Sequence, residues 1–324
     1  MTRQLECTIF NVEHGFCAFI KSPNNYGLMI DCGKRDGFSP IKWVRGVYNC
    51  GNGNIAYHER RRIAELIVTH LHEDHFTDVG SFYRNREDKP KTLLRDKETL
   101  KFIDEKIRET SDNHLKKEVL QQFKRFQQDY DQGVEKKVDW GFDYFDYSQL
   151  SYRDAEAVNS NRDKIINNRS YIIGIGFAGK KILIPGDIEK EGWEKAFGYS
   201  SIREILRDTN FFVTSHHGRE SGCNPDVLKY TGIPDIYIVS ARANDDTFYS
   251  FYSRPGNAQG YLVQGDTQPS QVVSTKRRSR SVCIVINEYG STAIYPILTP
   301  DNQTAHQEWL SERRTKQVLR GWAS

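Results

Sequence analysis

The stretch ELIVTHLHEDHFTDVG (65–80) constrains this chain more than any other, because an apolar run of strand character passes straight into His70, His72, Asp74 and His75. Whatever fold forms must end a buried strand where four polar side chains can gather. On extended backbone, side chains at i and i+2 point to the same face, so His70 and His72 can close on one ion. If the chain then turns into a helix, Asp74 and His75 diverge and can reach a second ion nearby. Neutral imidazole and carboxylate are ligand types of Zn²⁺ and its first-row neighbours, and a catalytic site keeps one position open for water. A polar loop carrying surface histidines is the plain alternative. The dense spacing, directly behind an apolar strand, speaks against it.

The rest of the chain must supply a core able to hold that strand. Its 324 residues include 17 Phe, 17 Tyr and 5 Trp within a hydrophobic fraction of 37%, a composition that folds. Lys plus Arg number 46 against 43 Asp plus Glu, a formal charge of +3, which excludes a histone-like polycation or an acidic tail protein. The first residues lack a basic segment followed by an apolar run, and no stretch approaches the roughly 18 apolar residues that span a bilayer. A cytoplasmic protein without membrane association is expected. Cys7, Cys17, Cys32, Cys50, Cys223 and Cys283 form no CxxC pair, so free thiols in a reducing compartment are expected.

Strand and turn signals alternate in LECTIFNV (5–12), CAFIKS (17–22) and LMID (28–31), which predicts an antiparallel meander. Residues 81–165 are charge-rich and poor in β-branched residues, which predicts a solvated helical insertion or cap. Strand signals return in SYIIGIGFAGKKILIPGD (170–187), a hairpin pattern, and again in FFVTS (211–215), DIYIVSA (235–241) and SVCIVINEYGSTAIYP (281–296). An amphipathic helix is expected over 303–324. Two β-rich halves with helices suggest an α/β (α+β) fold: an αββα sandwich of face-to-face sheets covered by helices, one domain over 1–324 with 81–165 inserted.

The HxHxDH pattern resembles the signature of the metallo-β-lactamase superfamily, and three other segments fall in that family's order. Asp31 in LMIDCGK matches an early strand-end Asp that supports the histidine loop through hydrogen bonds. Asp187 in ILIPGDIEKE matches the family's metal-bridging Asp, whose two oxygens can hold two ions about 3.5–4 Å apart. FFVTSHHGRESG supplies His216 and His217, one of which would complete the Asp74 and His75 site while the other faces substrate. The chain is also similar to the soluble hydrolase domain of ComEC-type competence DNA-uptake proteins, on NVEHGFCAFI, the NRS element Asn168 to Ser170, SHHG followed by a Ser, and DIYIVSARAND. Many members of the superfamily add a third histidine to the first site. Between His75 and His216 this chain has only His114, in the charged segment, where a solvated helical histidine is the expected reading. The branch resemblance implies that Asn168 or a water fills the gap, which brings Mn²⁺ or Mg²⁺ into competition with Zn²⁺.

Two divalent ions lower the pKa of a bound water toward about 7 and make hydrolysis the default chemistry. Asp74, Asp187 and His217 would carry it. The resemblance points to phosphodiesters, with nucleic acid or a nucleotide as substrate and a bacterial anti-phage role under the control of a regulatory protein. An acyl ester or lactone hydrolase, or a non-catalytic binding module, are the rival readings. For a phosphate substrate, Arg219 beside SHHG offers a bidentate fork. STKRRSRS (274–281) offers Lys276, Arg277, Arg278 and Arg280 to a nucleic-acid backbone, with a solvated basic loop equally expected. His14, after the first strand, is either a substrate contact or a turn histidine. The aromatic cluster WGFDYFDY (140–147) is expected to pack onto the core.

Overall fold

A computed structural model describes residues 3–47, 63–84, 89–110, 113–130, 138–242, 246–276 and 280–298. Alternation of side chains with period two builds its centre. Leu5, Cys7 and Ile9 of β1 (Gln4–Ile9), Ala18 and Ile20 of β2 (Ala18–Lys21), and Leu28 and Ile30 of β3 (Gly27–Ile30) all point into one buried cluster. The same cluster takes Ile173 and Ile175 of β7 (Ile172–Phe177), Ile182 and Ile184 of β8 (Lys180–Ile184), and Phe211 and Val213 of β9 (Phe211–Val213). Ile236 and Ile238 of β10 (Ile236–Val239) join them. The intervening residues, Phe19, Met29, Leu183, Phe212 and Tyr237, face outward into two further clusters. A strand buried on both faces needs a layer on each side, and that requirement gives the four-layer arrangement.

The remaining strands are β4 (Glu65–Ile67), β5 (Thr92–Leu94), β6 (Tyr144–Ser148), β11 (Val272–Ser274), β12 (Arg280–Asn287) and β13 (Thr292–Leu298). One sheet runs β13-β12-β1-β2-β3-β4-β5 and the other β11-β10-β9-β8-β7-β6, each mixing parallel and antiparallel pairs. The first sheet is covered by α1 (Pro40–Val47), α2 (Lys101–Glu109) and α3 (His114–Gln128), through Trp43, Val44, Ile103, Leu120, Phe123 and Phe126. α4 (Tyr152–Val158) and α5 (Arg162–Asn168) precede β7, and the second sheet is covered by α6 (Lys190–Ala196) and α7 (Ser200–Leu206), through Trp193, Ile202 and Ile205. The architecture is the expected αββα sandwich, and the predicted meander is β1, β2 and β3 in antiparallel register.

Residues 81–165 differ from the expected helical insertion. They contribute β5 to the edge of one sheet and β6 to the edge of the other, and the apolar faces of α2 and α3 form an outer layer of the sandwich itself. The heavily charged opposite faces of these helices concealed narrow stripes such as Leu120, Phe123 and Phe126. Trp140 of the aromatic cluster is buried in the central core, stacked 5.8 Å from Phe142, as packing onto the core predicts. His114 is exposed at the first turn of α3, as expected. Cys7, Cys17, Cys32 and Cys223 are free thiols, and all four are buried, as is Cys283. Cys50, the basic residues Arg277 and Arg278, and the helix expected over 303–324 lie outside the described residues. Among the described residues no helix is long and apolar enough to cross a membrane.

Candidate metal centre

β1, β3 and β4 run the same way in one sheet, and β8, β9 and β10 run together in the other. Their C-terminal ends form one rim of the sandwich. Asp31 follows β3, His70 to His75 follow β4, Asp187 follows β8, His216 and His217 follow β9, and Ser240 follows β10. The resulting cleft, of about 230 Å³, is lined by His72, Asp74, Asp187, His216, His217 and Arg219, with His14, Lys106 and Lys116 around them.

Asp187 Oδ2 is the meeting point. It lies 4.0 Å from His70 Nε2, 3.5 Å from His75 Nε2 and 3.3 Å from His217 Nε2. Asp74 Oδ2 lies 4.0 Å from His75 Nε2 and 3.9 Å from His217 Nε2. Among the described residues, two groups therefore could hold a metal ion: His70, His75 and Asp187, and Asp74, His75 and His217. His72 Nδ1 stands 3.2 Å from His70 Nε2. Two nitrogens on one tetrahedral ion, each about 2.0–2.1 Å from it, are about 3.3 Å apart, so this pair has the spacing of a chelate.

The other ring nitrogen of each histidine fixes which atom of the neutral ring can serve as a ligand. His75 Nδ1 is 2.7 Å from Asp31 Oδ2, an acceptor, so the neutral ring keeps its proton on Nδ1 and offers Nε2 as the lone pair. Thr69 Oγ1 donates to Asp31 Oδ2 at 2.7 Å and is left to accept from His70 Nδ1 at 3.1 Å. His217 Nδ1 is held by the carbonyl of Ser240 at 3.1 Å, and His72 Nε2 faces Asp163 Oδ1 at 3.4 Å. His75 Nε2 is buried and has no hydrogen-bond partner. Imidazole lone pairs aimed at a buried carboxylate repel it unless a cation lies between them. The donor set therefore fits divalent metal.

Protonation reports the same demand. Burial works to lower the His75 pKa, but Asp187, Asp31 and Asp74 outweigh it and hold it well above the ordinary value. Burial likewise works to raise the Asp187 pKa, and His217 and His75 reverse it to well below the ordinary value. His217 is raised, chiefly by Asp187 against its burial, whereas burial and the neighbouring His75 push His70 well down.

Backbone geometry places these groups. His216 and His217 take φ of 48° and 59°, a consecutive left-handed pair that L-residues adopt only when the surroundings enforce it. The His216 amide donates to the Gly186 carbonyl at 3.2 Å, so the β8 and β9 loops are bound to each other. As a result His217 turns inward to Asp187 while His216 lines the cleft, its Nδ1 2.9 Å from Ser221 Oγ and its Nε2 3.5 Å from Arg219 Nη1. That separates the two histidines the sequence left equivalent. Gly15 and Gly33 pack against Asp74 so closely that a Cβ would stand 2.2 Å and 2.5 Å from its carbonyl oxygen.

Asn168 is placed differently from the expectation that it fills out the first site. It is fully buried, its Oδ1 accepts from the Glu189 amide at 2.9 Å, and it does not line the cleft. Its role is taken up with Ser170, whose Oγ accepts from the Asp187 amide at 2.9 Å; together they clamp the loop that carries Asp187. Arg219 and His14 do line the cleft. His14 Nε2 is 3.5 Å from Asp74 Oδ2, with its ring stacked on His217. Lys276 does not; it follows β11 on the same rim, with Nζ 6.0 Å from the Tyr249 ring centre. Sequence reasoning missed Thr69, Ser240, Asp163 and Lys106. A Thr closing an apolar strand before His70 was a readable signal; Ser240 and Asp163 meet the histidines, and Lys106 meets Asp163, only through the fold.

No family model matches the chain, and no curated protein matches it. Among solved structures it is similar to the metallo-beta-lactamase fold protein YhfI from Bacillus subtilis, with a TM-score of 0.39 and 10% identity over 73% of this chain and 86% of that one.

Proposed function

We propose that this chain is a metal-dependent hydrolase of phosphodiesters. The observation that carries the reading is the convergence of His70, His75 and His217 Nε2 atoms on Asp187 Oδ2, each imidazole aimed by a partner on its other nitrogen. His70, His72 and Asp187 would hold one divalent ion, and Asp74, His75, His217 and Asp187 a second. When bound, such ions supply an acidified water near neutral pH and positive charge opposite the oxygens that become more negative during displacement.

One wall favours an anion. Lys116 and Lys106 are already paired with Glu73 and Asp163, whereas Arg219 touches the His216 imidazole and is in no ion pair among the described residues. Arg219 would fix a phosphate oxygen, His216 would hold Arg219 in place, and His14 would contact substrate at the mouth beside Asp74. Lys276, on the same rim two strands from β9 and so about 10 Å from it, suits a longer nucleic-acid backbone. An anti-phage role under a regulatory partner belongs to the same reading and rests on the family resemblance.

Metal analysis of the purified protein, with assays on DNA, RNA and bis-p-nitrophenyl phosphate in Zn²⁺ or Mn²⁺, tests it. The expected result is bound metal and phosphodiester cleavage, both lost in Asp187→Ala. Cleavage of acyl esters or lactones alone would replace the substrate class; absence of metal and of every activity would leave a binding module.

A further inference from the structure

The helical layer is wired to one histidine of the metal centre. His72 Nε2 lies 3.4 Å from Asp163 Oδ1, at the start of α5 (Arg162–Asn168). The same oxygen is 2.9 Å from Lys106 Nζ, on α2. Lys106 is only 7% exposed, and a cation so buried requires an anionic partner. Its second acid, Glu73 Oε2 at 3.9 Å, belongs to the residue after His72, so Lys106 stands between two carboxylates that flank the histidine.

The start of α5 is itself fastened to α2. Arg162, the residue before Asp163, gives a bidentate pair to Glu109 at 2.8 and 2.6 Å and lies 3.5 Å from Glu105. Three charged residues of α2, Glu105, Lys106 and Glu109, thus grip two successive residues of α5. Asn161 caps that helix by accepting from the amides of Asp163 and Lys164. The Asp163 carboxylate is 59% exposed, yet its backbone is held on both sides, an arrangement suited to presenting it in one place.

We propose that Asp163, held by Lys106, is the positioning residue of His72: it accepts a hydrogen bond from Nε2–H, fixes the tautomer, and turns the Nδ1 lone pair toward His70 Nε2. The inference rests on the reading of His72 as a metal ligand. It assigns residues of α2 and α5 a part in metal retention and makes the first site the one most sensitive to this layer. A carboxylate partner of a ligating histidine typically contributes about 10–100-fold to metal affinity.

The test uses the full chain labelled with ¹⁵N-histidine, together with competition for Zn²⁺ against a chromophoric chelator. In the metal-free protein the His72 ring should be the Nε2–H tautomer, and Asp163→Ala should shift it toward a mixture. The same variant should bind one equivalent of Zn²⁺ about 10–100-fold more weakly. Asp163→Asn, which keeps an acceptor oxygen, should restore most of both, and Lys106→Met should fall between. An unchanged tautomer and unchanged Zn²⁺ affinity in Asp163→Ala would overturn the proposal. His72→Ala separates the two levels: if it leaves both Zn²⁺ equivalents intact, His72 is not a ligand and the underlying reading fails; if it loses one while Asp163→Ala loses none, only the positioning role fails.

Discussion

Asp31 Oδ2 lies 2.7 Å from His75 Nδ1 and thereby points His75 Nε2 at Asp187, 3.5 Å away. The same carboxylate accepts from the Thr69 amide and hydroxyl at 2.7 Å each, so it also governs His70 through Thr69. One fully buried side chain sets the orientation of two histidines. Asp31→Ala strands three buried polar groups and puts an alanine at φ 54°, so a loss of about 3–5 kcal/mol by urea unfolding is expected. Asp31→Asn tolerates that backbone and keeps one acceptor. It should fold at a cost of about 1–3 kcal/mol and bind Zn²⁺ about 10–100-fold more weakly. Unfolding curves and chelator competition on the two variants check this.

Gly15→Ala and Gly33→Ala should both impair the centre without touching a ligand side chain. The added carbon would stand 2.2 or 2.5 Å from the Asp74 carbonyl oxygen, which is backbone and cannot swing aside. Gly15 also has φ of 101°, which penalises alanine independently. Each substitution should destabilise by about 1–3 kcal/mol, and the displaced Asp74 should loosen the ion shared with His75 and His217. Thermal unfolding with and without excess Zn²⁺ measures both: the Zn²⁺-induced rise in Tm should shrink in the variants.

The alternation that builds the central core was legible because period two is a local property: Ile182, Leu183 and Ile184 declare two faces in three residues. The cluster of candidate ligands after β4 was legible for a similar reason, all four residues lying within six positions. Less could be read where partners are remote. Nothing near Asp163 marks it as a neighbour of His72, 91 residues earlier. The distinction between His216 and His217 depends on two left-handed backbones enforced by the β8 loop, which no spacing rule reveals. Residues 81–165 were misread because α2 and α3 carry so much charge on their solvent faces that the stripe against the sheet was outweighed.

A pH dependence with a definite sign is expected at Asp154, outside the centre. Hydrogen bonds from Ser151 and then Tyr199, with Lys195 at 3.1 Å, hold its pKa down to about 2 from an ordinary 3.8. A carboxyl depressed in the folded state stabilises above its unfolded pKa, and that contribution disappears as pH falls from 3.8 toward about 2. The stability difference between wild type and Asp154→Asn should therefore be flat above about pH 5 and shrink below it. Urea unfolding at a series of pH values reads it; a difference that persists unchanged to pH 2 would assign the effect to shape instead of charge.

Arg219 separates the phosphodiester reading from its acyl rival. Its guanidinium enters the cleft beside His216, with Nη1 3.5 Å from His216 Nε2, and among the described residues it forms no ion pair. A charge-assisted hydrogen bond to a phosphate oxygen contributes about 1.5–3 kcal/mol, so Arg219→Ala should cost roughly 10–100-fold in kcat/KM on bis-p-nitrophenyl phosphate. The greater part should fall on KM if the contact is equal in ground and transition states. Arg219→Lys keeps the charge but not the fork, and should recover only part of the loss. Metal content should be unchanged in both variants, because Arg219 touches no ligand that converges on Asp187. A neutral acyl ester offers this guanidinium no anion, so its hydrolysis would be indifferent to the substitution. Equal losses on charged and neutral substrates would show that Arg219 acts by shaping the loop that carries His217.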